Sequence, residues 1–144
     1  MTGFVLDCSI AVAWCFDDEA TDEMDALLDR AQREGAIVPS LWVWEASNTL
    51  LAAQRRRRID REALQERLSM LDMLSLDIDD LGAGPVWRSS VLTLAEAESL
   101  SFYDATYLEL AIRNGLPLAT NDAALRRAAL RRGVTLLPAE PVNP

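Results

Sequence analysis

Arg33-Glu34-Gly35-Ala36-Ile37-Val38 reads as the end of a helix, a turn and the start of a strand. A glycine stands just past the helical stretch, where a positive φ is wanted, and a short apolar run follows. The same phrase returns as Arg113-Asn114-Gly115-Leu116-Pro117-Leu118 and as Arg131-Arg132-Gly133-Val134-Thr135-Leu136. Each run is short, bounded and apolar on both sides, as a strand buried on both faces would be. Helices alternating with such strands imply an α/β fold. The expected architecture is a parallel sheet of four to five short strands flanked by helices on both faces, with right-handed crossovers.

Working outward from these phrases, strands are expected at residues 3–8, 36–38, 75–77, 116–120 and 134–137. Helices are expected at 9–16, 18–34, 41–57, 60–74, 84–97, 102–114 and 122–132. Thr21 is a candidate cap within the second helix, and Asp60 is the N-cap of the fourth. Leu64, Leu68, Leu71 and Leu74 give that fourth helix its apolar stripe. No linker or low-complexity stretch interrupts the pattern. The 144 residues therefore form one domain over 1–137, with a tail at 138–144 expected to fray.

Half the residues are apolar and 26% are charged, a globular profile. No apolar run is long enough to span a membrane. The first residues carry no basic region, apolar core or cleavage site, so a cytoplasmic location is expected. Cys8 and Cys15 are then expected to be reduced core residues. The net charge of −9 argues against loose binding to nucleic acid. All 14 positive charges are arginines, and many are clustered. Arg55, Arg56, Arg57 and Arg58 stand together with Arg61, and Arg126 and Arg127 stand near Arg131 and Arg132. Arginine suits phosphate ligation, and it equally suits a helix C-terminus. The two readings are compatible.

Four carboxylates stand alone in uncharged surroundings. Asp7 is the only charged residue from Met1 to Phe16, and Glu45 the only one from Leu41 to Gln54. Asp104 is the only charge from Leu100 to Leu108, and Asp122 the only acid between Glu109 and Glu140. An isolated carboxylate beside buried apolar surface is costly unless something pairs with it. With no histidine and no lysine in the chain, a metal ion is the natural partner. Asp7 closes the first strand and Asp122 follows the fourth. Glu45 and Asp104 lie in the first turns of helices. All four can thus converge at the carboxyl ends of the strands, where open α/β sheets bind ligands.

Clustered carboxylates repel, and cations must neutralise them. Oxygen donors of this kind favour Mg²⁺ or Mn²⁺ over zinc. Such ions can activate a water and stabilise the leaving oxygen of a phosphodiester. Three of the acids also have a bland reading. Asp104 and Asp122 could be helix N-terminal charges, and Asp7 could cap the helix after it. Glu45, among Trp42, Val43, Trp44 and Ala46, has no evident local partner.

Four segments carry a resemblance. They are Phe4-Val5-Leu6-Asp7-Cys8-Ser9, Trp44-Glu45-Ala46-Ser47-Asn48, Leu100-Ser101-Phe102-Tyr103-Asp104-Ala105-Thr106-Tyr107-Leu108 and Leu118-Ala119-Thr120-Asn121-Asp122. In order and spacing the chain resembles a PIN domain, and within it the VapC-type toxins of bacterial toxin–antitoxin pairs. The resemblance implies an acidic metal site of Asp7, Glu45, Asp104 and Asp122. Asp7 and Asp104 would be the core Mg²⁺ ligands, with Glu45 and Asp122 supporting them or orienting water. Ser9 and Asn121 would hold those carboxylates in place. The implied activity is endonucleolytic cleavage of RNA. The implied partners are a VapB-type antitoxin and a second copy of the chain in a homodimer. Ala123 and Ala124 stand where some relatives carry a further acid, which leaves the number of metal ions open.

The tryptophans Trp14, Trp42, Trp44 and Trp87 read mainly as packing residues, with an antitoxin groove or a dimer contact as the alternative. Tyr103 and Tyr107, one turn apart, could stack on bases or lie in the core. A catalytically silent PIN-like module that only binds RNA or protein is the competing reading. A phosphotransferase or receiver domain would also use an aspartate near Mg²⁺, but it relies on a lysine that this chain lacks.

Overall fold

The computed structural model describes residues 3–80 and 84–141. Its centre is a five-stranded sheet in which every neighbouring pair is parallel. The strands are β1 (Phe4–Leu6), β2 (Ala36–Pro39), β3 (Leu76–Asp79), β4 (Leu118–Ala119) and β5 (Leu136–Leu137), in the order β3-β2-β1-β4-β5. Phe4, Val5 and Leu6 of the central strand are completely buried. Among the described residues, seven α-helices connect and cover the strands: α1 (Cys8–Ala13), α2 (Asp22–Glu34), α3 (Trp42–Arg55), α4 (Arg61–Asp72), α5 (Pro85–Glu98), α6 (Phe102–Asn114) and α7 (Ala123–Arg131). Helix α3 packs on α1 and α4, while α6 packs on α5, α7 and the three central strands. Among the described residues no helix is long and apolar enough to cross a membrane.

The repeated phrase holds. Gly35, Gly115 and Gly133 all have positive φ, and each leads into a buried strand. Thr21 caps α2 by accepting from the Met24 N–H at 3.1 Å, and Asp60 caps α4 by accepting from Ala63 at 2.8 Å. Leu64 and Leu71 are buried, and Leu68 and Leu74 pack beside them.

Several boundaries move, each for a local reason. The helix expected over 18–34 divides into a single 3₁₀ turn at Asp17–Glu19 and α2 from Asp22, because Thr21 is the cap. The first strand ends at Leu6, and Cys8 already belongs to α1. The apolar runs at 116–120 and 134–137 contribute only two paired residues each. The third strand lies at 76–79, two residues beyond the expected end, because it pairs along all of β2 from Ala36↔Leu76 to Pro39↔Asp79. Of the tail, residues 142–144 lie outside the described part.

The strand order positions the site. The chain leaves β1 toward β2 on one side and later returns to β4 on the other. The carboxyl ends of β1 and β4 therefore meet where the order reverses, the place at which such sheets open a crevice.

Candidate active site

Asp7 follows β1 directly and is only 6% exposed. It occupies the N-cap position of α1, yet its side chain makes no capping bond. Its Oδ2 instead accepts from Ser9 Oγ at 2.7 Å and from Thr120 Oγ1 at 2.6 Å. The same two hydroxyls tie in the segment after β4. Thr120 Oγ1 accepts from the Asp122 N–H at 3.0 Å, and Ser9 Oγ accepts from the Asn121 N–H at 3.3 Å. A carboxylate from one strand end is thus locked to the loop beyond its neighbour.

The other three acids arrive on helix N-termini. Asp122 is the N-cap of α7, its Oδ1 accepting from the Leu125 N–H at 2.8 Å. The capping reading of Asp122 is therefore correct for one oxygen, and Oδ2 remains. Asp104 lies in the first turn of α6, where Ser101 does the capping. Glu45 lies in the first turn of α3 and has a partner that no local pattern shows. Tyr107, fully buried on α6, donates its hydroxyl to Glu45 Oε1 at 2.5 Å.

The electrostatics join these groups. Burial holds the Asp7 carboxyl above the usual carboxylate range, the Thr120 and Ser9 hydroxyls pull it back, and the charges of Asp104 and Asp122 push it up further. Asp104 is raised by burial and by Asp122. Glu45 is raised by burial and by Asp7 and Asp104, against the Tyr107 hydrogen bond. The carboxylates thus repel one another across a shared space. Burial, then Asp7 and Glu45, push the Cys8 thiol to about 12, so it is a protonated packing group. Both cysteines are free and buried.

A cation would relieve this repulsion. Among the described residues, no group of three or more His, Cys, Asp or Glu side chains is placed so as to hold a metal ion by itself. The donor set is carboxylate oxygen throughout, which excludes a zinc site of ordinary composition. It is the donor set of a hard ion that keeps several waters and takes only one or two carboxylates directly.

Two contributors escaped the sequence reading. Thr120 carries no charge, and its role depends on a partner 113 residues away. Its one local signal is a hydroxyl immediately before Asn121-Asp122. Tyr107 reads as core or stacking, and is in fact core with its polar tip in the site. Asn121 joins through its backbone, while its side-chain Oδ1 is buried without a partner.

Several of the clustered arginines are engaged by acids or carbonyls. Arg58 pairs with Asp18 and Glu19 and covers the Phe16 ring at 3.8 Å. Arg131 and Arg132 both pair with Glu98. Arg126 is buried and donates to the carbonyls of Thr120, Pro138 and Ala139, which removes it from any phosphate surface. Arg55, Arg56 and Arg57 are exposed at the end of α3. Of the tryptophans, Trp42 is buried and Trp14 and Trp87 partly so, but Trp44 is 79% exposed.

Fold and site together define an α/β protein with repelling carboxylates gathered at the switch point of a parallel sheet. The family model of the PIN domain matches residues 4–130, and the chain belongs to that family. Solved structures similar to it include PAE2754 from Pyrobaculum aerophilum, at 25% identity and a TM-score of 0.70, covering 94% of this chain and 89% of that one. VapBC2 from Rickettsia felis, bound to a DNA fragment from their promoter, shares the fold at 18% identity and a TM-score of 0.65, covering 92% and 96% of the two chains. Among curated proteins none matches the chain.

Proposed function

We propose that this chain is a Mg²⁺-dependent endoribonuclease, with Mn²⁺ as a substitute, and that it is the toxin of a VapBC-type pair. The observation that carries the reading is Asp7. A buried carboxylate is held in one orientation by two hydroxyls, while further acids crowd its charge. A fold gains no stability from such a set, and a cation-dependent site needs it.

Asp7 and Asp104 would hold the ion directly, with Glu45 and Asp122 reaching it through water. Bound there, the ion would lower the pKa of a water and stabilise charge developing on a phosphodiester. The chain's own part is positioning. Ser9 and Thr120 fix Asp7 through Oδ2 and leave Oδ1 for the ion. Tyr107 fixes Glu45 Oε1 and leaves Oε2 to orient water or accept its proton. Asp122 stays aimed because its other oxygen caps α7. The absence of histidine and lysine leaves these carboxylates as the proton acceptors of the site.

In this reading the partners are RNA, a second copy of the chain, and a small antitoxin. Basic residues on the antitoxin suit a chain of net charge −9. The setting is the cytoplasm. A silent binding module is the second reading, favoured because, among the described residues, no group of three or more His, Cys, Asp or Glu side chains is placed to hold a metal ion.

The test is direct. Purified protein with Mg²⁺ or Mn²⁺ should cut total RNA into discrete fragments. Cutting should vanish with EDTA and in Asp7→Asn and Asp104→Asn. Folded wild-type protein that leaves RNA intact with every divalent ion would leave only the silent module.

A further inference from the structure

Exposed aromatic rings are scarce in this protein. Of its nine aromatic side chains only Trp44, at 79%, and Tyr103, at 62%, are exposed. Both line one cavity of about 250 Å³, with Leu41, Glu45 and Asn48. They come from different helices, and each stands next to a site acid in sequence: Trp44 beside Glu45 on α3, Tyr103 beside Asp104 on α6. Glu45 belongs to both the cavity and the acidic site.

The Tyr103 ring is held from behind. It meets Phe102 edge-on at 6.5 Å, and Phe102 meets Trp87 the same way at 6.5 Å. Such buttressing orders a surface ring before any ligand arrives. Asn48 follows Trp44 by one helical turn, is exposed, and has no hydrogen-bond partner for its amide among the described residues. The cavity is smaller than the roughly 300–1,000 Å³ of sites for drug-sized ligands, which suits one flat ring system.

We propose that Trp44 and Tyr103 form a stacking subsite for one unpaired nucleobase beside the scissile phosphate, with the Asn48 amide facing the base edge. The proposal rests on the ribonuclease reading and names the side chains of this chain that would take an unpaired base. A base stacked and paired within a duplex presents no free face to a side chain, whereas a splayed base does. Stacking tolerates every base, so the amide supplies whatever preference the subsite has.

The experiment uses the full chain in the Asp7→Asn background with Mg²⁺, so that RNA is bound and not consumed. A fluorescein-labelled single-stranded dodecamer and its duplex are titrated by anisotropy. Trp44→Ala and Tyr103→Ala should each weaken single-strand binding roughly tenfold, and Trp44→Phe should restore most of it. Duplex binding should be weaker and unmoved by these changes. In the otherwise wild-type chain, the alanine variants should raise KM for RNA while kcat stays within about twofold. Unchanged single-strand affinity in both alanine variants overturns the subsite. So does a Trp44→Ala variant that turns a dimer into a monomer in sedimentation, since the ring would then belong to a contact between copies. Cleavage by wild type with no effect of either ring sinks the subsite and keeps the nuclease. Ring-dependent binding without cleavage sinks the nuclease and keeps the subsite.

Discussion

Asp7→Asn should abolish RNA cleavage and at the same time stabilise the metal-free protein. Asp7 is 6% exposed and is repelled by Asp104 and Asp122, so its charge is a liability when no cation is present. An asparagine oxygen can still accept from Ser9 and Thr120, so the hydrogen bonds survive. Removing an uncompensated buried charge while keeping its hydrogen bonds is worth about 1–2 kcal/mol. For a chain of this size that is roughly 3–8 °C in Tm. The sign with pH follows from the raised carboxyl. Below the unfolded pKa, about 3.9, Asp7 is protonated in both states and its ionisation costs nothing. As pH rises through the folded value, the wild-type protein loses that stability and the variant does not. Melting curves in EDTA should therefore separate at pH 8 and converge near pH 4. Adding Mg²⁺ should raise the wild-type Tm, by about 1.4 kcal/mol of stability at ten times its Kd, and should leave the variant almost unmoved. A variant that melts at or below the wild type in EDTA at pH 8 would refute the claim that these carboxylates repel across one space.

Three further outcomes follow from particular side chains. Thr120→Val removes the donor to Asp7 and the acceptor for the Asp122 N–H, so activity should fall about 10–100-fold with the metal affinity, read by RNA cleavage across a Mg²⁺ titration. Arg126→Met leaves three carbonyls without their buried donor and should lose about 2–3 kcal/mol in urea unfolding, whereas a phosphate-binding arginine would lose affinity for RNA and no stability. Replacing Arg55, Arg56 and Arg57 with alanine should leave folding intact. If they hold RNA phosphates, the dependence of log Kd on log salt should flatten by about 0.7 for every phosphate no longer neutralised, and an unchanged slope would return them to the helix end as solvated charges.

The sheet was legible because a glycine between a helix and a doubly buried strand is a local event. Gly35, Gly115 and Gly133 announce themselves with no knowledge of the rest. Strand length was less legible, since an apolar run looks the same whether it pairs or merely passes through the core. Leu116 and Val134 are partly buried and pack on the core without joining the sheet. Strand order is a long-range property and left no mark in any one segment. The same division runs through the site. The four acids stood out because charge amid apolar residues is visible in one dimension. Thr120 and Tyr107 did not, because a hydroxyl or phenol shows its role only when a carboxylate from 113 or 62 residues away lands beside it. The arginines misled in the opposite direction. Arg126 is clustered in sequence yet buried alone among carbonyls.

The hydroxyls also explain how the chain tolerates its own acids. Ser9 and Thr120 both lower the Asp7 pKa, and Tyr107 lowers that of Glu45, so each supplies part of the charge stabilisation that water would have given. Asp104 takes the same help from the Ser101 hydroxyl at the start of α6, and Asp122 Oδ1 accepts the Leu125 N–H at the start of α7. None of these donors cancels the charge, and burial still raises Asp7, Glu45 and Asp104. The residual repulsion is therefore distributed over four elements that the sheet holds together, and no single segment could relax it by moving alone. If the proposed divalent ion binds there, it would offset part of this repulsion, and metal binding would then be tied to the stability of the whole switch point rather than to one loop.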